Sequence, residues 1–147
     1  MPASAEAKWH WGEGIKFAHE LLKSLLIING AAAIAMLTFI GNVRLLNGQI
    51  VLGMVSFGLG VVAAVVAMFG AYLTQLHYGN AEVVQTDTKI WGRASTFHSV
   101  TYVAGLLAIL LFCAGIGFVG WGAYTASFES IASTEAVNVA AAQEPPK

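Results

Sequence analysis

Residues 50–77 read IVLGMVSFGLGVVAAVVAMFGAYLTQLH, 28 positions without one Asp, Glu, Lys or Arg. The apolar residues fall on every side of a helix drawn through this stretch, with no polar face for water. A helix that is hydrophobic all round belongs inside a large core or inside a bilayer. A chain of 147 residues has no large core to offer, so the stretch reads as a membrane span. Twenty-eight helical residues at 1.5 Å each cover about 42 Å, more than a hydrocarbon layer of about 30 Å. The helix must tilt or protrude, and Gln75, His77 and Tyr78 place the protrusion at its C-terminal end.

Two further runs of the same kind flank it. Leu21–Gly41, LLKSLLIINGAAAIAMLTFIG, is broken only by Lys23, Ser24 and Asn29. Its helix is expected to begin near residues 12–16, with a wet turn carrying His19, Glu20 and Lys23. The third run extends from about His98 to Thr125, with Ser95 or Thr96 as the expected N-cap and Trp121 and Tyr124 as an aromatic belt. Between the first two runs, Asn47-Gly48 is a turn signal that makes them an antiparallel hairpin. Between the second and third, Gly79–Phe97 is the most polar stretch, with Glu82, Asp87, Lys89 and Arg93 and Trp91 as an interfacial anchor. The tail from Ala126 is rich in Ala and Ser. It is expected to stay helical for a turn or two and to be disordered over its last ten or so residues. The fold class expected is all-α integral membrane with three transmembrane helices, at about 21–41, 50–77 and 98–125.

Composition agrees. Hydrophobic residues make up 57% and charged residues 10% of the chain, against about 25% charged in a soluble domain. A net charge of −1 with seven scattered basic residues offers no field for nucleic acid. Cys113, the single cysteine, excludes an intrachain disulfide or a cysteine-built metal site in one copy. The first 20 residues lack the apolar segment of a cleaved signal peptide, and Glu6, Glu13 and Glu20 are foreign to a mitochondrial leader. The first span is therefore expected to act as an uncleaved anchor. Lys8, Lys16, Lys23, Lys89 and Arg93 fall on one side of such a topology and Arg44 alone on the other. The positive-inside rule then puts the N-terminus in the cytoplasm and the C-terminus in the periplasm or exterior.

Small residues recur at spacing four: Ser56, Gly60 and Ala64; Ala63, Ala67 and Ala71; Ala104 and Ala108; Cys113 and Gly117. In lipid such rows let backbones approach closely, and that packing replaces the hydrophobic drive between helices. They either hold the three helices together or also build a larger assembly. Small residues on more than one face favour the second. The partners expected are the bilayer, copies of the same chain and other membrane subunits.

Two polar constellations compete with this bland packing. His19, His77 and His98 lie on three different helices near the cytoplasmic end, with Glu20, Gln75 and Glu82 nearby in sequence. Converging imidazoles could hold a transition metal, or two of them haem. Ordinary interfacial histidines have the same pattern, and no HxxxH spacing sharpens it. Asn29 is the polar side chain deepest in a span and Lys23 lies one to two turns nearer the cytoplasm. Asn29 is expected to face protein, hydrogen-bonded to a neighbouring helix or a partner chain, because an unpaired amide in hydrocarbon is costly. Lys23 is expected to reach the headgroups or pair with Glu20.

The stretch from Leu22 to Gly41, LKSLLIINGAAAIAMLTFIG, resembles the first span of a widespread group of small bacterial inner-membrane proteins. In that group it reads Leu-Lys-Ser, several apolar residues, Asn-Gly-Gly-Ala-Ala, then further apolar residues. Lys23, Ser24, Asn29 and Gly30 match, and Ala31 replaces the second glycine. The likeness covers about twenty residues. It implies a bacterial inner-membrane location; the group carries no assigned activity, so it implies no mechanism.

No acid pair, nucleophile–base pattern or phosphate-binding glycine loop is evident. The expected function is a non-enzymatic accessory or scaffold subunit working through helix–helix assembly. The rivals are a homo-oligomeric pore-forming or membrane-perturbing effector and, third, a haem or metal anchor subunit.

Overall fold

The computed structural model describes residues 5–43, 47–83 and 88–142, and all of them except Asn47 are helical: α1 (Ala5–Val43), α2 (Gly48–Val83) and α3 (Thr88–Ala142). Each contains a stretch long and apolar enough to cross a membrane, which is the architecture of a multi-pass membrane protein. Arg44 and Asp87, and the side chains of Lys8, Glu82, Lys89 and Trp91, lie outside the described residues.

The helices overrun the expected spans at every end. α1 starts at Ala5 rather than near residue 12. α2 runs to Val83 and α3 starts at Thr88, so much of the expected polar linker is helix. Ser95 and Thr96 are therefore not caps; the Thr96 hydroxyl donates to Gly92 O (3.0 Å) and Ser95 O accepts from the Ser99 hydroxyl (3.1 Å). Once a span is helical, adding residues costs no new nucleus. The same reasoning applies to the tail, where helix continues to Ala142 instead of stopping after a turn or two.

α2 is the central element. It packs along most of its length against α3 and over a shorter stretch against α1, whereas α1 and α3 barely touch. Neighbouring helices run antiparallel, as the hairpin reading requires. One apolar cluster joins all three: Leu22 and Leu25 of α1, Ala63, Ala64 and Ala67 of α2, and Ala104 and Ala108 of α3. A second, toward the α1–α2 turn, is built on Met36, Ile50 and Phe57.

That turn is fixed by Asn47. Its Oδ1 accepts from the Ile50 amide (2.9 Å), capping α2, while its Nδ2 donates to Gly122 O on α3 (2.8 Å). One side chain thus satisfies an orphan donor at a helix start and ties the turn to a helix 75 residues away.

Candidate functional site

The residues with the most constrained surroundings are the small ones between helices. Ser56, Gly60, Ala64 and Ala67 are buried on α2, Ala64 and Ala67 completely, and Ala104 and Ala108 are buried on α3. The Ser56 hydroxyl returns to Leu52 O (2.8 Å), so no polar hydrogen is left facing apolar neighbours. Thr38 and Thr101 bond back to their own helices in the same way.

Glycine is required where the backbones come nearest. A Cβ on Gly115 would stand 2.5 Å from the Phe57 ring, and one on Gly53 would stand 2.5 Å from Val119 Cγ2 and 3.0 Å from Gly115 O. At Gly122 it would meet Asn47 Oδ1 at 2.8 Å and Ile50 Cγ1 at 2.9 Å. These three contacts went unremarked in the sequence because their partners lie dozens of residues away.

Gly117 behaves differently. Its spacing from Cys113 marks it as a packing position, but within the chain it packs against nothing: it is exposed, and a Cβ there would have no neighbour within 4 Å. The cause is rotational. Gly115 and Gly122 face α2, and 117 lies on the other side of α3.

Asn29 is completely buried and faces α2. Its Nδ2 donates to Leu25 O of its own helix (2.9 Å), so the expected bond to a neighbouring helix is not the one made. Its Oδ1 has no hydrogen-bond partner. It sits where a Cβ of Gly60 would be, with Asn29 Cγ 2.6 Å and Nδ2 3.2 Å from that point. The Gly60 Cα–H consequently points at the Oδ1, a weak donor toward an otherwise unpaired acceptor. Lys23 and Glu20 approach to 4.0 Å with both side chains more than half exposed, and Lys16 and Glu13 pair at 2.6 Å. Pairs this open contribute little to stability.

The three histidines have different surroundings. His77 stacks flat on Phe97, ring centroids 5.2 Å apart. His98 is held edge-to-face by Tyr102 at 4.8 Å and by Tyr78 at 6.4 Å, and His19 is exposed on α1. Among the described residues no group of three His, Cys, Asp or Glu side chains is placed to hold a metal ion.

No protein family, curated protein or solved structure matches this chain.

What the geometry leaves open is apolar. Because α1 and α3 diverge, a groove of about 370 Å³ lies between them, lined by Ala32, Ala35 and Met36 of α1, Phe57 of α2, and Ile116, Val119 and Gly120 of α3. Small residues line both walls, the shape that admits side chains from a further helix.

Proposed function

We propose that this chain is a non-enzymatic subunit of the bacterial inner membrane, N-terminus in and C-terminus out, that works by helix–helix assembly as an accessory or scaffold component. The observation that carries the reading is the splayed arrangement of α1 and α3, with an apolar groove between them whose walls offer Ala32, Ala35 and Gly120. Small residues at a helix surface are the means by which helices associate in lipid, and here Ala35 and Gly120 remain exposed after the chain has satisfied its own contacts. Asn29 supports the same reading over a pore. A pore-lining amide would be wetted, whereas this one is buried against Gly60.

Purification from native membranes in mild detergent, with mass spectrometry and an absorption spectrum, tests the reading. Co-purifying subunits in fixed proportion support it. A large ring of identical chains with leakage activity replaces it with the pore, and a Soret band replaces it with the haem anchor.

A further inference from the structure

Asn29 is fully buried, and its Oδ1 is aimed at Gly60 without a hydrogen-bond donor. One turn along α2, toward the α1–α2 turn, lies Ser56, which is also buried and whose hydroxyl donates to Leu52 O of its own helix (2.8 Å). Both belong to the row Ser56, Gly60 and Ala64. The orphaned oxygen thus stands one helical turn from a hydroxyl able to serve it. One turn the other way is Ala64, which has no side-chain polar atom to offer.

The surface of α2 lets α1 make that step. A shift of four residues, about 6 Å along the helix axis, moves Asn29 from Gly60 to Ser56. The antiparallel register is given by Asn29 beside Gly60 and Gly30 beside Val61. The same shift brings Leu25 to Gly60, which has no side chain to displace, Leu22 to Ala63 and Ala18 to Ala67. Leucines therefore still meet glycine and alanine, as they do in the cluster of Leu22 and Leu25 with Ala63, Ala64 and Ala67. α3 resists little, because α1 barely touches it. The last turn of α1 resists little too: a Cβ on Gly41 would meet nothing within 4 Å, and Asn42 is exposed. One-turn steps of one packed element past another are an established form of two-state motion.

We propose that α1 has two registers on α2: the observed one, and a second one turn nearer the α1–α2 turn, in which Asn29 Oδ1 accepts from the Ser56 hydroxyl. Two costs oppose each other. The observed register leaves a buried oxygen unpaired. The second pairs it but carries the exposed Glu20 and Lys23 one turn toward the middle of the span, where charge is expensive. The step acts on the groove between α1 and α3. Its α1 wall, Ala32, Ala35 and Met36, moves about one turn past Ile116 and Gly120 while Phe57 stays in place, so each register presents a differently shaped groove. The step is independent of whether a partner fills that groove.

Disulfide trapping in native vesicles containing the full chain reads the register. Cysteine pairs are placed in a Cys113→Ser background and oxidised with copper–phenanthroline. The initial rate of linkage within one chain is followed as protection of both thiols from a mass-tagged maleimide. Gly30→Cys with Val61→Cys should link, because a Cβ at 30 lies 3.9 Å from Val61 Cγ2 in the observed register. Leu26→Cys with Val61→Cys should link as well, since the step brings position 26 level with 61. Ile34→Cys with Val61→Cys requires a slide the other way and should stay at background. Adding Ser56→Ala should slow the 26–61 linkage about threefold, the worth of an average side-chain hydrogen bond in a membrane, and leave the 30–61 linkage intact. Asn29→Ala should do the same. A 26–61 rate no greater than the 34–61 rate overturns the proposal. So does a 26–61 rate that Ser56→Ala leaves unchanged, because that is loose motion of α1 and not a second register.

Discussion

Replacing Gly60 with Ala puts a methyl group where the Asn29 Oδ1 already sits. Neither neighbour can yield cheaply. Asn29 is fully buried and tethered through Nδ2 to Leu25 O at 2.9 Å. Rotating its amide away breaks that bond and leaves a second polar atom unpaired, at about 1–3 kcal/mol. Moving α1 off α2 instead is overpacking, typically about 1–3 kcal/mol. Against this stands the ordinary gain of Ala over Gly in a helix, about 0.5–1 kcal/mol. The clash wins, and the expected net loss is about 1–2 kcal/mol, roughly 5- to 30-fold in the folded ratio. Gly58→Ala is the internal control, since a Cβ there meets nothing within 4 Å; it should be neutral or stabilising. Asn29→Ala should restore most of the loss in Gly60→Ala, because it removes both the obstructing atoms and the unpaired oxygen. Reversible unfolding in mixed detergent micelles, followed by tryptophan fluorescence, measures all four chains. If Gly60→Ala unfolds with Gly58→Ala, or if Asn29→Ala gives no relief, the Asn29–Gly60 contact is not as described.

Three other expectations follow from the same contacts. Gly115→Leu drives a side chain into the Phe57 ring and should destabilise the α2–α3 pair by about 1–3 kcal/mol, whereas Gly117→Leu, which meets nothing within the chain, should leave a dispersed single chain as stable as before or slightly more so. Asn47→Ala loses both the α2 cap and the bond to Gly122 O and should cost about 1–2 kcal/mol, read in the same unfolding assay; a value near zero would mean water replaces it. Reporter fusions after Arg44 and at Lys147 should report the periplasm and one near Asp87 the cytoplasm; a cytoplasmic signal at Lys147 contradicts the three-span, N-in arrangement.

The three helices were legible because apolar composition on every side of a long run admits few alternatives. Their ends were not. Glu82, Lys89 and Arg93 mark where water begins, but polar residues are compatible with helix, and a helix already formed in the span propagates through them. The packing row Ser56, Gly60, Ala64 could be read because spacing four is visible along one chain. Which face of α3 meets α2 could not: Gly115 and Gly117 are two residues apart and equally small, and only their rotation about the axis separates contact from exposure. Asn29 was identifiable as unusual, but not its choice of Leu25 O over a partner helix, which depends on how closely Gly60 approaches. Asn47 was read as a turn residue alone. An Asn immediately before an apolar helical run is also an N-cap signature, and that signal was available.

A chain that works through helix–helix association should be found in an assembly in the membrane. Native mass spectrometry of membrane discs excised by polymer, without detergent, measures it directly. A protein mass above one 15.5 kDa chain is expected, either several copies or copies with a fixed set of other subunits. A single 15.5 kDa chain surrounded only by lipid would contradict it.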